Sequence, residues 1–289
     1  MSSLYGDNSV WIKLLHPHYE YPVGVFKHHD ALYYPSEEVV FIASKKVSYN
    51  YGGDAYSEVA FGHPEEIRLL STLTLSIPEG FGMVAFGLWH GSKIDELSLD
   101  IDLSEDQTVS FCRQKAQKIL LENEGENEVR YQLRTITRSE FNVEKKIYEG
   151  IDLTNGILIR GLYTLLKCQL LISAEPPYFM EEAFMNVQIS TEAVFRLIRE
   201  AIISSGKNEV KIEDIYNYIS ANFVNGEGFV DYLKDMYDRW IQTKHPASIF
   251  ESKWAPFLQA DDVYETYGAL VSIYRHLIIG EPGGSSACL

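Results

Sequence analysis

Cysteine is scarce in this 289-residue chain. The three present, Cys112, Cys168 and Cys288, are odd in number and widely spaced, which leaves no disulfide framework and no cysteine metal motif to read. Basic residues are also in short supply. Lys and Arg total 25 against 41 Asp and Glu, a formal net charge of −16, and the acidic excess runs through both halves. A module that grips duplex DNA by neutralising phosphates is therefore not expected. Long apolar runs are missing too. The most apolar stretch, Ile157 to Ile172, is interrupted by Arg160 and Lys167 and is short for a bilayer. The opening MSSLYGDNSV has no basic segment followed by an apolar one, and Cys288 stands second from the end, so neither a secretory signal nor a prenylation box is expected. These absences suggest a reducing cytoplasm and no membrane partner. No Gly-rich phosphate loop, nucleophile elbow or HExxH is present, so no cofactor or metal is called for.

What is present is enough apolar material for a sizeable core: 46% hydrophobic residues, with 19 Tyr and 14 Phe. The length suits two domains. The pattern predicts an α+β two-domain protein with a change of character near Gly150. Residues 1–150 read as mainly β, a sandwich or curled mixed sheet. Short apolar or alternating runs at Val10–Leu15, Val23–Phe26, Val39–Ala43, Glu58–Phe61, Thr72–Ile77, Phe81–Leu88, Leu97–Leu103 and Val129–Thr137 are separated by turn residues. Gln107 to Glu122 is ambiguous between helix and strand.

Residues 151–280 read as an all-α domain, with 281–289 as a disordered tail. Leu153 to Ser173 is too densely apolar for a surface strand and too long for any strand. Pro176-Pro177 opens a second helix, with Glu181 and Glu182 in the early turns where the dipole favours acids, and Gly206 ends it. Ile212 to Ala221 is a shorter helix. From about Glu227, the residues Phe229, Val230, Leu233, Met236, Tyr237, Trp240 and Ile241 fill one face at 3.6-residue spacing. The last helix runs from Asp262 to about Ile279, capped by Asp261 or Asp262 and stopped by Gly280 and Pro282.

The candidate chemistry lies at the end of the fourth of these helices, in Arg239-Trp-Ile-Gln-Thr-Lys-His245. Pro246 follows and pushes His245 out of helical geometry, so the helix should end at or before His245. On an intact helix the two residues would diverge by about 240°, whereas a frayed end lets the imidazole turn back toward the guanidinium. Together they could bind and cleave a phosphodiester: Arg239 would hold the anionic phosphate and His245 would move the proton. With RNA the 2′-hydroxyl is a built-in nucleophile and no metal is needed. Tyr232 shares the shoulder of Arg239, seven residues earlier, and could stack on a base; Lys244 is a second cation for the substrate. The same Arg and His could instead serve only the helix C-terminus. Six of the eight histidines lie in the first domain, at 16, 18, 28, 29, 63 and 90. His16-Pro-His18 with His28-His29 could offer imidazole ligands, although no zinc spacing is matched.

The stretch from Leu158 to Ile279 resembles the HEPN superfamily. The matching pieces are Ile159-Arg-Gly-Leu-Tyr-Thr-Leu-Leu166, Phe179-Met-Glu-Glu-Ala-Phe-Met-Asn186, Met236-Tyr-Asp-Arg-Trp240 through His245, and Leu270-Val-Ser-Ile-Tyr-Arg275. They follow the family order of two long helices, a third ending in Arg-x4–6-His, and a closing helix. The resemblance implies a homodimer with the Arg-His elements facing across its interface. It also implies a metal-independent endoribonuclease of a defence or toxin–antitoxin system, with Arg239 on the phosphate and His245 as acid/base. The family also holds inactive members that serve as dimerisation or ligand- and partner-binding modules. The x5 spacing and Trp240 after Arg239 keep that branch open.

Overall fold

In the computed structural model, the described residues are 9–17, 22–23, 26–28, 31–35, 40–45, 64–76, 86–88, 95–98, 107, 110–111, 114, 134–135, 138–174, 179–223, 226–244 and 259–281. They fall into two compact units, Met1–Leu73 with Val84–Glu149, and Thr74–Met83 with Gly150–Leu289.

In the first unit, β1 (Ser9–Pro17) is central to an antiparallel sheet with β3 (Phe26–His28), β4 (Ala31–Pro35), β5 (Val40–Lys45), β6 (Phe86–Leu88) and β7 (Asp95–Ser98). Strand β5 pairs along β1 from Val10↔Lys45 to Leu15↔Val40. On its other edge β1 meets β6 near Leu15 and β7 near Val10. A separate two-residue parallel pairing joins β2 (Pro22–Val23) to β8 (Arg134–Thr135).

The expectation of a mainly β first domain is overturned. Helices carry most of the described residues, and two 13-residue helices lie inside the first 150 positions: α1 (Pro64–Ser76) and α2 (Arg138–Gly150). Thr72–Ile77, expected as a strand, falls largely within α1. The reason is burial. Every residue from Glu65 to Ser76 is buried, and a helix enclosed on all sides loses the 3.6-residue polar face that would identify it. Pro64 at its first position and Glu65 and Glu66 in its first turn suit a helix start. Of the run expected over Val129–Thr137, Arg134 and Thr135 form β8 and the rest lies outside the described residues; α2 begins at Arg138. The run at Glu58–Phe61 lies outside the described residues.

Among the described residues, the second unit holds the last turn of α1 and five further helices: α3 (Gly156–Ala174), α4 (Met180–Ser204), α5 (Ile212–Asn222), α6 (Gly226–Lys244) and α7 (Ala260–Ile279). Pro176-Pro177 and the tail beyond Glu281 lie outside the described residues. Helices α3 and α4 form the most extensive pairing of the unit, and α7 packs on α4. Leu162, Leu165, Leu166, Phe184, Val187, Val194, Leu270, Ile273 and Tyr274 are buried there.

Gly161 marks the tightest approach. The Ser190 hydroxyl donates to the Gly161 carbonyl at 3.0 Å and lies 3.0 Å from the Tyr274 hydroxyl, which also donates to the Ser190 carbonyl at 3.1 Å. A Cβ at position 161 would overlap the Tyr274 hydroxyl and come within 2.8 Å of the Ala193 Cβ. The buried Arg275 donates to the Leu75 carbonyl at 3.5 Å, where the end of α1 favours a cation. Gly280, at φ 72°, ends α7 in the left-handed region and donates to the His276 carbonyl at 2.8 Å, as a C-terminal glycine should.

Two outcomes follow from this packing. Gly161→Ala should cost about 2 kcal/mol through overpacking, read as a lower denaturant midpoint. The second concerns His276, which lies 3.2 Å from the Tyr218 hydroxyl and edge-on to Phe223. Burial lowers its pKa. Between that lowered value and the ordinary value of about 6.5, the unfolded chain binds more protons than the folded one. This contribution is fully present above about pH 6.5 and falls as pH drops through the window. His276→Gln should flatten that part of the stability–pH curve relative to the parent, measured by denaturant titration at a series of pH values.

Candidate functional site

Helix α6 ends at Lys244, the last residue before His245-Pro246, where the pre-proline restriction places the break. Its buried face consists of Phe229, Val230, Leu233, Met236 and Trp240. Tyr237 and Ile241, expected on that face, are 40% and 36% exposed. They lie on its edge.

Arg239 sits on the opposite shoulder with its side chain 35% exposed. Its guanidinium meets two carboxylates. Nη2 pairs with Asp235 Oδ2 at 2.9 Å, one turn earlier on the same helix. Nη1 reaches both oxygens of Asp262 in the first turn of α7, at 3.3 and 3.2 Å. Desolvation alone would lower the Arg239 pKa, but the Asp235 hydrogen bond and the charges of Asp262 and Asp235 outweigh it and raise the value. The group is therefore a permanent cation.

Asp262 is a hub. Its Oδ2 accepts the Gln259 backbone N–H at 2.8 Å, the acidic arm of a capping arrangement at the start of α7. Gln259 is the N-cap, not Asp261 or Asp262. The Asp262 carbonyl accepts from the Tyr232 hydroxyl at 3.0 Å and from Thr266 Oγ1 at 2.7 Å, and those two hydroxyls are 2.9 Å apart. Burial raises the Tyr232 pKa well above its ordinary range. Its hydroxyl is thus a fastening between α6 and α7.

The structure therefore joins two of the expected site residues, Arg239 and Tyr232, through Asp262. His245 lies outside the described residues, as does the side chain of Lys244, so neither distance to Arg239 enters the geometry. Asp235 and Asp262 escaped the sequence reading. Asp235 carried a signal, since an acid four residues before an arginine on a helix is a standard pairing. Asp262 carried none beyond its place near a helix start.

The first unit has its own charged cluster. Glu65 is fully buried. It accepts from Arg68 Nε at 2.9 Å and Nη2 at 2.7 Å, and from the Tyr148 hydroxyl at 2.9 Å. Arg68 also donates to that hydroxyl at 3.0 Å and lies 4.0 Å from the ring centroid. Burial, then the Glu65 charge, pushes the Tyr148 pKa well up. The His28 ring packs 4.4 Å from Tyr148, with Nε2 3.6 Å from Glu149. This arrangement ties β3, α1 and α2 together. Among the described residues no group of three or more His, Cys, Asp or Glu could hold a metal ion; His18, His29, His63, His90 and the His16 side chain lie outside them. Among the described residues, no helix is long and apolar enough to cross a membrane.

Comparison with protein-family models, with curated proteins and with solved structures gives no match to this chain.

The two arginine sites predict contrasting costs. Arg68→Ala would strand a buried carboxylate and should destabilise by about 3–5 kcal/mol. Arg239→Ala breaks partly exposed, solvent-screened pairs and should cost no more than about 1 kcal/mol. Urea titration of the two variants beside the parent checks the difference.

Proposed function

We propose that the helical unit is a HEPN-type, metal-independent endoribonuclease acting in a reducing cytoplasm, in a bacterial defence or toxin–antitoxin setting. The observation that supports this reading is Arg239: a permanent cation, one-third exposed, held by a carboxylate of the neighbouring helix six residues before His245. In the proposed reaction His245 takes the proton of an RNA 2′-hydroxyl, and the 2′-oxygen attacks the adjacent phosphorus. The P–O5′ bond breaks, a 2′,3′-cyclic phosphate forms, and the 5′-oxygen leaves with a proton. A homodimer with facing Arg239–His245 elements would supply one imidazole as base and another as acid. Arg239 would stabilise the charge that builds on the non-bridging oxygens, and Lys244 would hold a neighbouring phosphate. No metal is required, because the nucleophile belongs to the substrate.

One observation favours a second reading, a non-catalytic HEPN-like dimerisation or partner-binding module. Two carboxylates already meet the single guanidinium, and Asp231, Asp238, Asp261 and Glu265 lie within one or two turns of them on α6 and α7. That concentration of acid opposes a phosphate.

Incubating the full chain with single-stranded and structured RNAs in EDTA separates the two. Cleavage to cyclic-phosphate ends is expected. His245→Ala should lose about a hundredfold or more of the rate, and Arg239→Ala a comparable amount. Intact RNA with parent and variants alike would leave the binding-module reading.

A further inference from the structure

We infer that Asp262 is the positioning residue of Arg239, and that Tyr232 acts through it; this rests on the ribonuclease reading of Arg239. The two carboxylates on the guanidinium are not equivalent. Asp235 belongs to the same helix, its side chain is 56% exposed, and it moves with the arginine it holds. Asp262 comes from a different helix and its side chain is only 13% exposed. It is fixed at both ends. One carboxylate oxygen is tied to the Gln259 backbone N–H, and its own carbonyl receives the hydroxyls of Tyr232 and Thr266. Tyr232 lies on α6 like Arg239, so α6 grips the first turn of α7 twice: through a phenol on the backbone and through a guanidinium on the side chain.

Such a carboxylate does for an arginine what an outer-shell acid does for a catalytic histidine. It selects one orientation of a long, flexible side chain before the ligand arrives. The geometry fits that role. Both Asp262 oxygens approach one terminal nitrogen, at 3.2 and 3.3 Å. Asp262 also sets the charge that a phosphate would meet. Its removal should therefore disturb orientation while weakening repulsion, and the two effects have opposite consequences for rate and for apparent affinity.

Asp262→Asn tests this, because the amide oxygen can still accept the Gln259 N–H and keep the start of α7. With the full chain and a fluorescent RNA in EDTA, Asp262→Asn should lower kcat by about tenfold to a hundredfold without raising KM. Tyr232→Phe should shift kcat in the same direction by a smaller factor. Glu200→Gln, an exposed acid on α4 paired with Arg196, should change neither constant. A readout independent of turnover is the Arg239 side-chain Nε–H resonance, assigned by its loss in Arg239→Lys. Its hydrogen exchange should be slow in the parent and in Glu200→Gln, and fast in Asp262→Asn. An unchanged kcat and unchanged exchange in Asp262→Asn overturn the inference. So does a variant that loses only its denaturation midpoint. If no protein cuts RNA, the ribonuclease reading fails, while the exchange measurement still decides whether Asp262 orients Arg239.

Discussion

The helical unit depends on how closely α7 can approach α3 and α4 at Gly161. The Tyr274 hydroxyl occupies the space that any side chain at position 161 would take, and it uses that place to bond with Ser190. A buried phenol without partners would be a liability, and here its hydrogen bonds are what seat the helix. Tyr274 is locked with Leu270 and Ile273 buried beside it, and Val263 is buried near the start of the same helix. Asp262 stands 12 residues before Tyr274, about 18 Å along the axis. The lock in the core thus determines where the first turn of α7 lies, and hence where α6 finds partners for Tyr232 and Arg239. The candidate site is an outcome of helix packing at a distance from it.

The two arginines discussed above show the same side chain in two regimes. Arg68 is bidentate on a carboxylate that has lost all contact with solvent, and a phenol completes the triad. The charges there are committed to each other, because an unpaired member would face a large desolvation cost. Arg239 also meets carboxylates, but at the surface, through longer contacts to Asp262 and an exposed Asp235. Water screens these pairs and their worth to stability is small. A cation held in place at little energetic depth suits a group that must exchange one anion for another. Arg68 cannot do that without dismantling the packing around it.

The sequence spoke most clearly where helices have one apolar face and one wet face. In α4 and α7 the stripe, the acids of the first turn and the glycine stop sit where periodicity and capping rules place them, and in α6 most of the stripe does. It spoke poorly at the extremes. Helix α1 is buried on every side, so its Thr72-Leu-Thr-Leu-Ser76 run alternates like a strand although it is helical. The expected strands stop at Thr137, so α2 goes unmarked; from position 142 onward its buried residues are Glu144, Ile147 and Tyr148, too few apolar marks to announce a helix. The expectation of a mainly β first domain thus missed α1, read as a strand, and α2, which carried no clear mark. Tyr237 and Ile241 show the same limit on a smaller scale: at the edge of a stripe, periodicity does not separate a core residue from an exposed one.

The site was legible in proportion to sequence distance. Asp235 is four residues from Arg239 and could be read from helical spacing. Asp262 is 23 residues away, beyond the reach of any local rule, and its visible signature was that of a helix-start acid. That signature was correct and incomplete. One oxygen of Asp262 serves the α7 backbone, while both face Arg239 on α6. The coupling has a physical consequence: the order of the first turn of α7 and the orientation of Arg239 are linked through Asp262. A partner or ligand that loosens that turn also frees the guanidinium, and one that engages the guanidinium alters the charge balance on the turn. The charges of Asp235 and Asp262, which would oppose an incoming anion, are thus the same charges that hold Arg239 in place.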